Sequence, residues 1–210
     1  MKVLLRTRDG SGNTAARGAI LAAMSDQHPP RRPDVTTAEL VGGIEKRPLV
    51  IVDHDPAWAT AYAEHERRIR RALGPTARQV EHIGSTSVPG LGAKPIIDVL
   101  VVVEDITAEE DHVDPLLAAG YLLRVREPGH RMVRTPARDA HVHLLQAGDP
   151  AADDYLLLRD HLRADPADRA LYERTKRELV AVDWPDMNAY AEAKTEVITA
   201  IKARARGRRS

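Results

Sequence analysis

The residues best suited to chemistry lie in one segment, His82 to Asp98, which reads HIGSTSVPGLGAKPIID. Small and hydroxyl-bearing residues follow one predicted strand, and a second strand then presents a carboxylate. Gly84 permits close backbone approach, and the hydroxyl and N–H groups that follow it can donate to anionic oxygens. These hydroxyl residues are Ser85, Thr86 and Ser87. The segment therefore predicts a site that cradles a phosphate group.

Asp98 is the one carboxylate in an otherwise apolar, largely β-branched run over residues 96–103. A carboxylate inside such a strand is costly unless it is paired or binds a cation. Placed about a dozen residues after the Gly-Ser turn, Asp98 could hold a divalent cation against the phosphates of a nucleotide. The expected ion is Mg²⁺ or Mn²⁺, with Zn²⁺ as an alternative.

His141 and His143 alternate on another predicted strand, so both side chains face the same side of the sheet. They could flank Asp98 and form a metal or phosphate site with it. Histidine ligates transition metals well but is a poor ligand for Mg²⁺. The alternative is a polar strand face covered by a helix, with hydrogen-bonded imidazoles.

Further cations lie near these groups in the sequence. Arg124, Arg126, Arg131 and Arg134 fall on a predicted hairpin, where the first two share a face. Guanidinium pairs suit phosphate recognition, but charged residues also protect the edge strands of sheets. Lys94 lies in the loop before Asp98 and could contact a phosphate. The predicted phosphate ligands outside the Gly-Ser turn are therefore Lys94, Arg124 and Arg131.

The elements that must position these groups follow from hydrophobic periodicity and from glycine and proline signals. Asp55-Pro56 begins a helix that Gly74-Pro75 ends. Strands are predicted at 49–52, 78–83, 96–103, 121–126, 131–135 and 140–145. Helices are predicted at 36–41, 107–119, 151–164, 167–181 and 187–204. This order predicts an α/β (α+β) fold with a mixed sheet, flanking helices and a C-terminal helical tail.

Composition divides the chain into an extension and one domain. Residues 28–33 hold three prolines and two arginines, and residues 11–23 are small and weakly patterned. Such segments bury too little apolar surface to offset chain entropy, so residues 1–46 are expected to be poorly ordered. Residues 47–205 form the predicted domain, with a sheet core to about residue 148 and helices over 150–205.

The class of protein follows from what the sequence lacks. Cysteine is absent, which excludes disulfides, thiol nucleophiles and cysteine-ligated metals and is typical of a cytoplasmic protein. No apolar run approaches about 18 residues, so we expect no membrane span. The N-terminus has no apolar segment followed by a small-residue cleavage site, so we also expect no secretory signal.

The net charge of zero is a cancellation between an acidic domain and basic ends. Residues 1–46 carry +2, residues 202–210 carry +5, and the intervening body carries −7. An acidic body argues against a broad nucleic-acid surface. The basic C-terminal run is expected to be a solvated, frayed helix end.

A resemblance to a known family adds to this interpretation. The stretch 84–91, followed by 94–98, resembles the GrpB family, a group of nucleotidyltransferase-like proteins. The Asp55–Trp58 opening, the His-x-His strand and the helical tail resemble the same family, over about residues 49–202. The tail residues that carry the resemblance are Arg159, Arg163, Tyr172, Lys176, Tyr190 and Lys194. The resemblance implies a minimal nucleotidyltransferase-like core followed by C-terminal helices. The basic tail residues either lie on the helix surface or point into the cleft.

The resemblance also implies two functions that the sequence does not separate. One is binding of a nucleotide or another phosphorylated small molecule with nucleotidyl transfer, in which Asp98 holds the cation and Ser85 touches the phosphates. Active nucleotidyltransferases usually place a second carboxylate two residues after the first, and here that position is Leu100. The alternative is therefore a non-catalytic binding or accessory module that has kept the fold and lost the metal chemistry.

Overall fold

A six-stranded mixed β-sheet lies at the centre of the computed structural model, which describes residues 30–46 and 48–208. The strand order is β1-β4-β5-β6-β3-β2. The strands are β1 (Glu39–Leu40), β2 (Gln79–Ile83), β3 (Ile97–Val103), β4 (Leu122–Glu127), β5 (His130–Arg134) and β6 (Ala140–Gln146). The β3–β6 pair is parallel, and the other pairs are antiparallel. The predicted α/β fold with a mixed sheet is confirmed.

Helices cover both faces of this sheet. They are α1 (Ala57–Leu73), α2 (Glu109–Ala118), α3 (Pro150–Ala164), α4 (Pro166–Val180), α5 (Met187–Ala193) and α6 (Thr195–Gly207). Alternation along β3 explains the two layers: Val99 and Val101 pack with α1 and α2, whereas Leu100 packs with α3. Because β3 is buried on both faces, its sequence is an almost continuous apolar run. Each helix in the described part of the chain is too short or too polar to cross a bilayer.

Local signals place most helix ends correctly. The Asp55 carboxylate accepts a hydrogen bond from Ala57 N, 2.8 Å away, at the start of α1. Asp149 and Asp165 cap α3 and α4 in the same way, and each is followed by proline at the first helical position. The predicted helix over 187–204 is divided at Lys194 into α5 and α6. No glycine or proline marks this junction, so periodicity alone predicts one helix.

The segment before the domain differs from its predicted disorder. Residues 1–29 lie outside the described residues, but residues 30–46 lie against the sheet. The predicted helix over 36–41 is wrong, because β1 pairs with β4 there. Asp34 and Glu45 bind arginines of β5. The charged composition of this segment suggests that it is solvated, but these two carboxylates form ion pairs with the sheet. The predicted strand at 49–52 is reduced to one bridge between Val52 and Ala93.

The basic C-terminal run is also held in place. Arg204 donates to Asp168 at 2.6 Å, and Arg208 pairs with Asp165 at 2.7 Å. Asp168 also contacts His161 Nε2 at 2.7 Å. Both carboxylates are buried, so these ion pairs fix α6 to the turn between α3 and α4. The expectation of a frayed end is therefore wrong as far as Arg208.

Candidate anion and metal site

The parallel pairing of β3 with β6 brings together three groups that lie far apart in the sequence. Asp98 is opposite His141 in the register, and Leu100 is opposite His143. The Nδ1 atom of His141 lies 3.4 Å from Asp98 Oδ1, and the Nε2 atom of His143 lies 3.6 Å from the same oxygen. The structure thus places Asp98, His141 and His143 in one cluster whose donor atoms fall within 4.8 Å of one another.

The electrostatics of this cluster favour a carboxylate and a neutral imidazole. Burial opposes ionisation of Asp98, but interactions with His141 and His143 outweigh it and hold the pKa of Asp98 well below its usual range. His143 is fully buried, and burial lowers the pKa of its ring to about 4 despite the neighbouring carboxylate. At neutral pH, His143 therefore offers one ring nitrogen as a donor and one as an acceptor.

A third histidine, not singled out in the sequence, extends the cluster. His130 Nε2 lies 3.1 Å from His143 Nδ1, and His130 Nδ1 lies 2.6 Å from Glu127 Oε1. The pairing of β5 with β6 brings His130 onto the face that carries Asp98. The sequence does not single out His130, because this residue follows a Pro-Gly turn and no regular spacing relates it to the His-x-His pair.

Gly84 must be glycine for two reasons. Its φ of +71° lies in the left-handed region, and a Cβ at this position would be 2.5 Å from Asp98 Oδ2. The backbone of the loop therefore touches the carboxylate directly. Ser85 follows at the start of a 3₁₀ turn over Ser85–Ser87, and its Oγ accepts a hydrogen bond from Lys176 Nζ at 3.0 Å.

The next two hydroxyls serve the loop itself. Thr86 Oγ1 donates to the Ile96 carbonyl at 3.1 Å and also contacts His82 Nε2. Ser87 Oγ donates to the Gly84 carbonyl at 2.6 Å. Both side chains are buried, because the 3₁₀ turn directs them back onto the backbone. Thr86 and Ser87 thus shape the loop, contrary to their predicted role as phosphate ligands.

Three lysines converge on the other side of Ser85. Lys176 is 2% exposed and also donates to the Gly92 carbonyl at 2.5 Å. The ammonium groups of Lys94 and Lys194 lie 4.7 and 4.6 Å from the centroid of the Tyr190 ring. Burial, together with neighbouring lysines, lowers the pKa of both Lys176 and Lys194 to about 7.

Two arginines of α3 hold the loop and β2 to the helical tail. Arg159 binds Glu81 at 2.8 Å and Asp160 at 2.7 Å. Arg163 donates twice to the Ser87 carbonyl, at 2.8 and 3.0 Å. Both guanidinium groups therefore bind other parts of the protein, and their contacts are structural.

The arginines of the β4–β5 hairpin separate onto two faces. A register shift between Leu123 and Val125 marks a bulge, so Arg124 and Arg126 do not share the predicted face. Arg124 lines a cavity with His130 and His141 and donates to the carbonyls of Val41 and Gly43.

The position of Arg131 also contradicts its predicted role as a phosphate ligand. It is 1% exposed and binds Asp34 at 2.5 Å and Glu109 of α2 at 2.6 Å. It therefore lies on the opposite side of the sheet from Asp98. The alternation of side chains along β5 places Arg131 on the α2 face and His130 on the other.

Two cavities meet at Lys194. One, of about 160 Å³, extends from Gly84 and Ser85 between α3 and α6. Its walls are mostly apolar or aromatic: Ala151, Tyr155, Leu158, Leu162, Tyr172, Ala191 and Ile198. The other, of about 170 Å³, lies over β4–β6 and includes Lys94, Arg124, His130 and His141. Lys194 thus lines both cavities, with Gly84 and Ser85 in the wall of the first and Lys94 and His141 in the wall of the second.

Comparison with known proteins gives the same answer from sequence and from structure. The family model described as GrpB protein matches residues 48–204. The UPF0157 protein SCO7215 of Streptomyces coelicolor is 62% identical over 175 residues, which are 83% of this chain and 94% of that protein. The dephospho-CoA kinase of Mycolicibacterium paratuberculosis is 32% identical over 180 residues, 72% of this chain but 44% of that protein.

Among solved structures, the conserved protein GrpB from Enterococcus faecalis aligns with a TM-score of 0.66 and 32% identity. The alignment covers 74% of this chain and 96% of that one. The resemblance expected from the Gly-Ser loop, Asp98 and the His-x-His strand is confirmed: the chain belongs to the GrpB family.

Proposed function

We propose that the protein binds a phosphorylated small molecule, with a nucleotide as the leading candidate, in the cleft between the 84–95 loop and the helical tail. The observation that carries this proposal is the convergence of Lys94, Lys176 and Lys194 beside Ser85. Among the described residues, no carboxylate forms an ion pair with Lys176 or Lys194. Buried ammonium groups without counterions are unfavourable, and a polyanionic ligand would supply the missing charge.

The cleft suggests how the parts of such a ligand are divided. Lys94, Lys194 and the Ser85 hydroxyl would contact phosphate oxygens, with Lys176 holding Ser85 in position. Asp98, His141 and His143 would hold a divalent cation, which would neutralise further phosphate charge when bound. The apolar cavity beside Ser85 is close in volume to an engineered cavity of about 150 Å³ that accepts benzene, so it suits one ring-sized uncharged group.

For an enzyme of this kind, the reaction we propose is nucleotidyl transfer at the Asp98 cation. Family membership and the Gly-Ser loop before a strand aspartate support it. A non-catalytic binding or accessory module is the second candidate, and Leu100 favours it. Leu100 packs with α3 instead of presenting a carboxylate, and Glu81 on the neighbouring strand is bound to Arg159. The kinase relative also contains the matched segment as only part of its length.

Calorimetric titration with ATP, GTP, CTP and UTP, each with Mg²⁺ or Mn²⁺, tests the proposal. We expect one or more nucleotides to bind, and Lys194→Met to weaken binding about 10- to 100-fold, since a charge-assisted hydrogen bond is worth about 1.5–3 kcal/mol. Lys46→Met, at an exposed lysine paired with Asp183, is the matched control and should bind as the wild type does. No heat with any nucleotide, together with unchanged behaviour of Asp98→Ala, would reject the proposal.

A release assay separates the two candidates. Pyrophosphate release from the bound nucleotide, with the nucleoside monophosphate recovered on the hydroxyl of an added acceptor and both products lost in Asp98→Ala, would establish transfer. Tight binding without release, in the presence of either cation, would favour the module.

A further inference from the structure

Four side chains form a line that ends at the Asp98 carboxylate, and the first two of its three contacts are hydrogen bonds. Glu127 contacts His130 Nδ1 at 2.6 Å, and His130 Nε2 contacts His143 Nδ1 at 3.1 Å. The remaining nitrogen, His143 Nε2, faces Asp98 Oδ1 at 3.6 Å, too far for a hydrogen bond. This nitrogen is buried and has no hydrogen-bond partner among the described residues.

The contacts hold the His143 ring in one orientation. Both ring nitrogens of His130 are engaged, Nδ1 with the Glu127 carboxyl group and Nε2 with His143 Nδ1. Because Nδ1 of His143 contacts His130, Nε2 is the ring nitrogen that faces Asp98. A cation between this nitrogen and the carboxylate oxygen would give the buried nitrogen the partner that it lacks among the described residues.

The distances fit a cation bound by nitrogen and oxygen. Metal–ligand bonds of about 2.0–2.1 Å in a tetrahedral arrangement place neighbouring ligand atoms about 3.4 Å apart. Asp98 Oδ1 lies 3.4 Å from His141 Nδ1 and 3.6 Å from His143 Nε2. Two imidazoles and one carboxylate are a donor set that selects Zn²⁺ or another transition metal over Mg²⁺.

We infer that Asp98, His141 and His143 bind a transition-metal ion, and that His130 and Glu127 are positioning residues that hold the His143 ring with Nε2 toward the ion. The ligands and their outer partners come from the protein alone, so the ion binds without a phosphate ligand. Three protein ligands leave a fourth position open, as in catalytic zinc sites. The centre would carry a net positive charge and lie in the cleft that the lysines border.

Among the described residues, a second cluster of this kind is less suited to hold a metal. His161, Asp165 and Asp168 lie together, but Arg204 and Arg208 neutralise the two carboxylates. His161 Nε2 contacts Asp168 at 2.7 Å as well, and the cluster holds α6 in place. His161→Gln is therefore a control for non-specific binding.

Metal binding alone tests the inference, with the full chain stripped by a chelator. Calorimetry with Zn²⁺ should show one tight site, and Co²⁺ should give the intense visible absorption bands of a four-coordinate ion. Asp98→Asn and His143→Gln should abolish both signals. His130→Ala should weaken Zn²⁺ binding about 10- to 100-fold, as is usual for outer partners of metal ligands. Glu127→Gln should cost less, since its amide oxygen can still accept from His130.

Two controls make the outcomes decisive. His65→Ala, on α1 and bonded to Tyr121, removes a half-buried histidine from the other face of the sheet and should bind Zn²⁺ normally. Circular dichroism of each variant reports its fold, and Asp98→Asn preserves the shape of the site if His143→Gln does not fold. Absence of Zn²⁺ binding by the wild type, or loss of it in His161→Gln, would overturn the site. Unchanged affinity in His130→Ala would overturn the positioning role. No nucleotide is present, so either failure leaves the proposed phosphate binding to be judged by its own titration.

Discussion

Binding of a phosphorylated ligand should take up protons, because the two buried lysines change their protonation when an anion arrives. Burial and neighbouring cations hold the pKa of Lys176 and Lys194 at about 7, so near pH 8 each is only about one-tenth protonated. A phosphate that contacts Lys194 and Ser85 brings negative charge close to both lysines, so it favours their charged forms and returns each pKa toward the ordinary value of about 10.5. Each lysine then gains close to one proton, and the expected uptake is about two protons per ligand.

Calorimetry in buffers of different ionisation enthalpy measures this number directly. Near pH 8, where nucleotide phosphates are already ionised, the slope of observed enthalpy against buffer ionisation enthalpy gives the protons exchanged. We expect a slope of about two for the wild type and at most about one for Lys194→Met, because Lys176 then loses a neighbouring charge that lowers its pKa. The residual binding of this variant must be measured at higher protein concentration. The exposed-lysine variant Lys46→Met should match the wild type. A slope of zero, or proton release, would refute the reasoning that these lysines are held uncharged without a ligand.

The same pKa values predict how stability depends on pH without ligand. Between pH 7 and 10.5 the unfolded chain binds more protons at Lys176 and Lys194 than the folded chain does. The free energy of unfolding should therefore rise with pH, by up to about 1.4 kcal/mol per pH unit for each lysine. This contribution is present above pH 10.5 and is lost as the pH falls to 7. Urea denaturation at several pH values should show a shallower rise in Lys194→Met, and an equal slope would contradict the assignment.

Three further predictions concern the walls of the site. Gly84→Ala should destabilise the protein by about 1–3 kcal/mol more than Gly90→Ala does. Both glycines have a positive φ, but only at Gly84 would the added Cβ lie against Asp98. Equal urea midpoints for the two variants would contradict this close contact. Arg131→Met should cost about 1–3 kcal/mol of stability, because Asp34 and Glu109 lose their contacts with Arg131 while Glu109 keeps its pair with Arg126. The folded variant should keep wild-type nucleotide affinity, and a loss of affinity would restore Arg131 to the site. Phenyl phosphate should bind about tenfold more tightly than inorganic phosphate, because its ring would occupy the apolar cavity. Ile198→Trp should remove this preference, because the larger side chain would fill the cavity. Equal calorimetric affinities of the wild type for the two compounds would exclude this use of the cavity.

The sequence pattern within a single element was sufficient to predict the buried central strand and the starts of several helices. The unbroken apolar run of β3 indicates a strand buried on both faces, and the Asp-Pro starts of α3 and α4 fix where those helices begin. The unusual carboxylate in that strand and the alternating histidines could be predicted to meet. Both signals depend on spacing within one element and on the cost of burying charge.

Features set by contacts between distant segments could not be predicted in this way. The β-bulge that separates Arg124 from Arg126 depends on the pairing of β4 with β5. The order of residues 30–46 depends on ion pairs such as that between Asp34 and Arg131. His130 has no periodic partner and joins the site only when β5 pairs with β6. In each case the neighbouring sequence predicts one role for the side chain, and its contact with a distant segment gives it another.

The single parallel pair in the sheet also has a consequence for folding kinetics. β3 and β6 carry Asp98 and the two histidines, and the chain between them must first pass through α2 and the β4–β5 hairpin. Parallel neighbours need a crossover, and pairings of high sequence separation form slowly because loop closure precedes any gain from contacts. The site cannot assemble during synthesis until β6 has left the ribosome. Ligand-binding competence should therefore appear late in refolding, after the β4–β5 hairpin has formed.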